Sequence, residues 1–143
     1  MTDLPLSAAQ TILDATLTEA RRLNLKPLAL VVLDGRGAVK AAVAEDGTSL
    51  KRFEVAHGKA YGALALGIGS RAIGKRAVEQ PTFVAAVSHV VGGALVPVPG
   101  GVLARAGDGQ VVAAIGVSGD TSDNDEACAK AGIEAAGLTA DTG

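Results

Sequence analysis

The stretch that most constrains this 143-residue chain runs from Val96 to Glu126 and joins two apolar segments through a very short turn. Gly107-Asp108-Gly109 has the composition of a hairpin turn, and residues 111–118 after it are apolar almost throughout. A parallel pair would need a crossover of a dozen or more residues, so strands 102–106 and 111–118 are predicted to pair antiparallel. The continuous apolar run predicts that 111–118 is a central strand.

A second hairpin is predicted near the N-terminus. Segments 28–33 and 38–44 are separated only by Asp34-Gly35-Arg36-Gly37, which again permits no crossover. A fifth strand is expected at 94–98, and the tail 138–143 is expected to fray. Helices are predicted at 7–23 with Ser7 as cap, 50–66, 71–77, from Pro81 to before Gly92, and 123–136 with Ser122 or Asp123 as cap.

These elements predict a single α/β (α+β) domain spanning residues 1–143. We expect one five-stranded antiparallel sheet with helices on both faces, a three-layer sandwich. The net charge of −2 indicates no attraction to nucleic acid. No apolar run reaches the roughly 18 residues of a membrane span, and Met1–Ala9 lacks the pattern of a signal peptide. With a single cysteine, these features favour a cytoplasmic protein.

Three other patterns each permit two interpretations. Gly67-Ile-Gly69-Ser-Arg-Ala-Ile-Gly74 is a helix break or, less in keeping with its spacing, a phosphate loop. Asp120, Asp123, Asp125 and Glu126 are either acids at a helix start or oxygen ligands for a cation. Cys128, among alanines, is a small hydrophobic residue or a nucleophile.

The three aromatic residues and both histidines lie between positions 53 and 89. On the predicted second helix, Phe53, His57 and Tyr61 are four residues apart and share one stripe. Charges are also segregated: 51–76 is mainly basic, and 108–126 carries acids alone. Each charged segment is either a solvated face or, as the alternative, a basic flank for a flat anionic ligand and an acidic flank for a neighbouring subunit.

Gly58 and Gly62 lie four apart inside the same predicted helix. Each costs roughly 0.5–1 kcal/mol relative to alanine in a helix interior, so a close approach should offset the cost. The approaching group is either a packed helix, from this or another subunit, or a planar ligand. This notch and the charge segregation predict a homo-oligomer.

Three motifs resemble the GlcG/HbpS family, also known as DUF336 and as the C-terminal domain of PduO-type proteins. They are Lys59-Ala60, Pro99-Gly100-Gly101-Val102, and Ile115-Gly116-Val117-Ser118-Gly119 before Asp125-Glu126. The resemblance covers nearly the whole chain. It implies an α/β/α sandwich, an oligomer and, in several members, heme binding. The Pro-Gly-Gly-Val motif here continues with Leu103, where family members often have proline.

The resemblance leads to a heme- or tetrapyrrole-binding protein for sensing, storage or trafficking as the first hypothesis. His57 would be the axial metal ligand, with His89 the second choice, and Phe53 and Tyr61 would frame the ring. The basic residues expected to meet propionates are Lys51, Arg52 and Lys59. The second hypothesis is an enzyme on a small carboxylated metabolite, with the amides from Gly100 and Gly101 to Val102 holding an oxyanion. There, His57 or Asp125 would be the acid–base group. The third hypothesis is a non-catalytic partner subunit.

Overall fold

In a computed structural model, which describes residues 4–143, the chain forms five helices and five strands. In chain order the described elements are α1 (Leu6–Arg22), β1 (Ala29–Asp34), β2 (Val39–Ala44), α2 (Arg52–Leu66), α3 (Ser70–Glu79), α4 (Pro81–Val90), β3 (Gly101–Arg105), β4 (Val111–Ser118), α5 (Ser122–Ala135) and β5 (Thr139–Asp141).

The strands form one antiparallel sheet in the order β2-β1-β4-β3-β5. Both predicted hairpins are confirmed, β1 with β2 and β3 with β4. The apolar strand β4 lies at the centre, as predicted, with seven of its eight residues buried. Its other neighbour is β1, in a register that sets Val31 opposite Gly116.

The fifth strand is not the one predicted. Segment 94–98 is irregular, and its Val96 amide donates to the Gly58 carbonyl of α2, 3.2 Å away, rather than to a strand. Pro97 lies in the segment and has no amide hydrogen to donate to a ladder. The edge position is taken instead by Thr139–Asp141, which pairs with β3, so the tail expected to fray is part of the sheet.

Helices cover both faces of the sheet, which confirms the three-layer prediction. On one face α1 and α5 enclose the larger core, in which Ile12, Leu30, Ile115 and Ile133 are buried. On the other face α2 packs over β1, β4 and β3 around Val31, and a small satellite core joins α3 and α4 to the 94–98 segment.

Two predicted helix caps are wrong. Helix α1 begins at Leu6, and the residue before it, Pro5, makes no side-chain cap, so Ser7 lies inside the helix. Helix α5 is capped by Thr121, whose hydroxyl accepts from the Asn124 amide at 3.2 Å. Within residues 4–143, no helix has both the length and the apolar character that crossing a bilayer requires.

Candidate functional site

Helix α2 lies unusually close to the sheet because two glycines form the floor beneath it. Gly101 of β3 and Gly116 of β4 are paired side by side. A side chain at Gly116 would overlap the carbonyl oxygen of Ala56, and one at Gly101 would overlap that of Lys59. The glycines of the two sheet motifs therefore set the position of α2 and of every side chain it carries.

The glycine notch of α2 is filled by the protein's own 94–98 segment. A Cβ at Gly58 would come 2.7 Å from Val96 Cγ2, and one at Gly62 would come 3.1 Å from Leu95 Cγ. The close approach predicted from sequence is present, but the neighbour is an irregular segment rather than a helix or a planar ligand. The notch therefore leaves no room for the edge of a macrocycle.

The side chain of Lys59 extends from the buried face of α2 and forms a buried ion pair with Asp125 of α5. Its Nζ donates to Asp125 Oδ2 at 3.2 Å and to the Val117 carbonyl at 2.9 Å, while the Asp120 amide donates to Asp125 Oδ1 at 3.0 Å. Burial lowers the pKa of Lys59 and raises that of Asp125, and in each case the opposite charge acts against the shift. Lys59 is only 2% exposed, so its expected propionate contact is not supported by its position.

The Pro-Gly-Gly motif is also enclosed. The Gly101 amide donates to Ser70 Oγ at 2.7 Å, and the Val117 amide donates to the Gly100 carbonyl at 3.0 Å. Gly100, with φ +126°, lies against the Lys59 side chain. Because Gly100 and Gly101 are both buried, the geometry does not present the Gly101 amide as an open oxyanion site.

The two segregated charge segments meet each other within the chain. Arg71 of α3 donates to both carboxylate oxygens of Glu126 at 3.0–3.2 Å and also pairs with Asp123. Together with the pair between Lys59 and Asp125, these contacts engage three of the four acids considered as cation ligands. The basic and acidic segments thus form an internal interface rather than two separate flanks.

Two other sequence candidates have structural roles. Gly67 ends α2 in the left-handed conformation at φ 72°, so the glycine-rich stretch is a helix break. Cys128 is fully buried in the core beneath α1 and α5, and burial raises the pKa of its thiol to about 11. A thiol with so high a pKa is a poor nucleophile at neutral pH.

Asp120, the fourth acid, anchors the loop before α5. Its carboxylate accepts from the Asn124 side chain and the Thr121 amide, each at 2.8 Å, and from the Lys26 amide at 2.9 Å. These hydrogen bonds, the Asn124 bond foremost, lower the pKa of Asp120 from 3.8 to about 2. The carboxylate therefore stabilises the folded state above pH 3.8, and this contribution is lost as the pH falls through about 2.

We expect Asp120→Asn to lower stability at pH 6 and to have progressively less effect between pH 4 and pH 2. Below that range both proteins carry an uncharged group at position 120. Urea denaturation of the two proteins at several pH values measures the difference in unfolding free energy. A difference that stays constant from pH 6 to pH 2 would show that Asp120 is not held with a lowered pKa.

The predicted stripe on α2 is present as a stack of three rings. The His57 ring centroid lies 6.0 Å from that of Phe53 and 5.4 Å from that of Tyr61, with interplanar angles of 28° and 21°. All three residues are half-buried. Within residues 4–143, no hydrogen bond engages either imidazole nitrogen of His57, which leaves the ring oriented by stacking and free to bind a ligand.

The stack borders an exposed part of the sheet. The Tyr61 ring lies against Gly37 in the turn before β2, and the cavity beside Arg52 is lined by residues just after β2, so α2 runs antiparallel to β2. His57 is thus level with the middle of β2. There Ala42, opposite Val31, and Ala44, opposite Ala29, lie on the α2 side and are exposed. We call these two residues the alanine shelf.

His89 lies in a different environment. It is exposed on the last turn of α4, beside an open cavity of about 420 Å³ lined by Ala85, Ser88, Gly92 and Gly93. That lining includes no phenylalanine or tyrosine. The nearest aromatic contact on α4 is at its other end, where the Arg76 guanidinium lies 4.6 Å from the centre of the Phe83 ring. Only His57, therefore, has the aromatic frame expected of a planar-ligand site.

A family model described as "Haem degrading protein HbpS-like" matches residues 4–134. The chain belongs to the HbpS-like family. No curated protein matches it in a sequence comparison. The HbpS-like fold is also shown by solved structures.

Crystal structures of HbpS, one of them a double mutant of the Streptomyces reticuli protein, are 27% identical to this HbpS-like chain. The mutant superposes with a TM-score of 0.81 and covers 94% of this chain and 87% of its own. The PduOC–heme complex is 21% identical to this chain and superposes with a TM-score of 0.84. The match covers 95% of this chain and 96% of PduOC. Klebsiella pneumoniae ORFY, a DUF336 protein, is 23% identical to this chain and superposes with a TM-score of 0.84. The match covers 96% of this chain and 92% of ORFY.

Proposed function

We propose that this HbpS-like protein binds heme or a related tetrapyrrole, in sensing, storage or trafficking. Membership of a family described as heme-degrading and the 27% identity to HbpS support the ligand class. The observation in this chain that carries the proposal is the stacked Phe53–His57–Tyr61 array beside the alanine shelf.

His57 has the chemistry of an axial ligand. A neutral imidazole nitrogen is a common ligand of heme iron, and neither nitrogen of His57 is engaged within the described chain. Stacking on both sides restricts rotation of the imidazole, so little orientational entropy is lost on coordination. The small side chains of Ala42 and Ala44 leave an apolar surface open beside the ring.

A hemin titration tests the proposal through the Soret band. We expect saturable binding by the wild-type protein and a shifted Soret band. His57→Ala should weaken binding by at least the roughly 10–100-fold that loss of a ligand's supporting partner costs, and should move the Soret maximum. His89→Ala is the matched control, because it also removes a histidine from a helix but lies outside the stack.

Two outcomes would contradict the proposal at different levels. An unchanged Soret position and affinity in His57→Ala, with folding verified by circular dichroism, would remove His57 as the ligand. No Soret shift in the wild-type protein would remove heme binding and favour the enzyme hypothesis. Following the bound spectrum for several hours separates binding from turnover, because a decaying Soret band would indicate that heme is consumed.

A homo-oligomer remains our proposal for the assembly. Of the ten residues of α4 only Val84 is buried, although the helix is largely apolar. Phe83 is 41% exposed and Val90 is 83% exposed. Exposed apolar residues concentrated on one short helix are typical of a surface that is covered in an assembly.

A further inference from the structure

A small cavity opens where the sheet ends beneath the start of α2. It has a volume of about 230 Å³. Its lining combines two basic residues, two hydroxyl-bearing residues, a proline and two glycines: Lys26, Pro27, Gly47, Thr48, Ser49, Arg52 and Gly119. We call it the cation cavity. Its volume is below the 300–1,000 Å³ of sites for drug-sized ligands, so it suits one functional group or a very small molecule.

The positive charge of Arg52 has no acidic partner within residues 4–143. Its guanidinium is half-buried, and its one hydrogen bond there runs from Nη1 to the neutral Ser118 hydroxyl at 3.1 Å. Of the five N–H donors of a guanidinium, most therefore remain available. In contrast, the exposed neighbour Lys51 pairs with Glu54 at 3.7 Å.

The two acids nearest the cation cavity, Glu45 and Asp120, already accept hydrogen bonds from the chain and do not pair with Arg52. Glu45 Oε1 accepts from Arg21 Nη2 at 3.1 Å and from the Leu28 amide at 2.8 Å. Both oxygens of Asp120 accept hydrogen bonds that hold the loop before α5. The Lys26 ammonium forms no ion pair within the described chain, but the Asp120 carboxylate lies near enough to attract it, and the charge of Lys26 contributes to the lowered pKa of Asp120. Arg52 is therefore the cation of this cavity that has no acidic partner.

The fork of an arginine matches the two oxygens of a carboxylate, and a second cation close by strengthens such a contact. Gly119 is required at the wall, because a side chain there would overlap the Pro27 carbonyl. We infer that the cation cavity is a carboxylate-binding site formed by Arg52 and Lys26. Arg52 donates to Ser118, which is paired with Ala29, and Ala29 is in turn opposite Ala44. The site therefore lies at the level of Ala44, at the end of the alanine shelf.

The carboxylate has two possible sources: a propionate arm of a tetrapyrrole on the alanine shelf, or a free small acid. The first source rests on the proposed function and the second does not. The sequence predicted propionate contacts for Arg52 and also for Lys51, which lies outside the cavity lining and pairs with Glu54. It did not predict Lys26, since no local pattern connects residue 26 to the start of α2.

The first arm of the test compares hemin with hemin dimethyl ester, which lacks both charges. We expect the wild-type protein to bind hemin about tenfold more tightly than the ester, because the ester cannot form the charge-assisted contact and the loss of one such contact lowers affinity by about this factor. Arg52→Gln and Lys26→Gln should each reduce that ratio towards one. Lys51→Gln is the matched control, because it removes a neighbouring positive charge outside the cavity and should keep the ratio.

The second arm uses sodium propionate and follows backbone amide resonances by NMR, with sodium chloride as the salt control. Saturable shifts at Thr48, Ser49 and Gly119 in the wild-type protein, lost in Arg52→Gln, would support a free-acid site even if hemin does not bind. Equal affinity for hemin and its ester together with no saturable shift, or results unchanged in both variants, would overturn the inference. Hemin binding without any ester discrimination or propionate shift would leave heme binding standing and reject the carboxylate site.

Discussion

Replacing Gly116 with alanine is expected to destabilise the protein by about 3 kcal/mol or more, or to abolish folding. The new Cβ would overlap the Ala56 carbonyl oxygen, which belongs to the backbone of α2 and cannot rotate away. Overpacking a core typically costs about 1–3 kcal/mol, and a backbone obstacle places this substitution at or above the upper end. Urea denaturation followed by circular dichroism measures the loss.

Gly107→Ala is the matched control for this prediction. Gly107 lies in the β3–β4 turn, nothing would approach its Cβ within 4 Å, and its φ is not positive. We expect a change of no more than about 0.5 kcal/mol there, as for other surface substitutions. If Gly116→Ala also proved neutral, α2 would not rest on the sheet as closely as described.

Asp125→Ala is expected to cost about 3–5 kcal/mol, because it leaves the Lys59 ammonium buried without its partner. The ammonium must then remain charged away from water or lose its proton, and either outcome is unfavourable. The substitution also frees the Asp120 amide, which donates to Asp125 in the folded protein. The free energy of unfolding from urea titrations at pH 7 gives the size of the effect.

Asp123→Ala provides the comparison on the same helical turn. Its carboxylate pairs with Arg71 but is 78% exposed, so the expected cost is below about 1 kcal/mol. The double variant Lys59→Met with Asp125→Ala should be more stable than Asp125→Ala alone, because no buried charge is left. A double variant that is as unstable as the sum of the two single losses would exclude coupling between Lys59 and Asp125.

The hairpins and the central position of β4 were predictable because each depends on local information. A turn of three or four residues excludes a crossover, and an uninterrupted apolar run indicates burial on both faces. The stacked array on α2 was predictable for a similar reason, since residues four apart meet on a helix whatever lies around it. Phe53, His57 and Tyr61 needed only the correct assignment of one helix.

Features that depend on distant parts of the chain were not accessible in this way. Segment 94–98 has the composition of a strand, but it packs into the glycine notch of α2 instead of pairing with the sheet. The notch and the segment are far apart in sequence, so no local pattern predicts their contact. The tail 139–141 is too short to predict as a strand and forms one only because β3 offers an unpaired edge. The buried ion pair of Lys59 had one signal in the sequence. Lys59 is the single charged residue on a helix face that otherwise consists of alanine and glycine.

The position of β4 between β1 and β3 also bears on how the chain reaches its fold. The first hairpin joins the rest of the sheet through β4 alone, and α2 lies partly on Gly116 of that strand. Residues 29–66 therefore have no complete surface to pack against until residues 111–118 have been synthesised. The entropy cost of bringing these distant strands together arises before their contacts stabilise the fold. Folding should therefore be slow relative to a helical bundle of similar size. A growing chain would expose the apolar strand β1, which is fully buried in the complete fold, until its final third appears, and this is the stage at which a chaperone would bind.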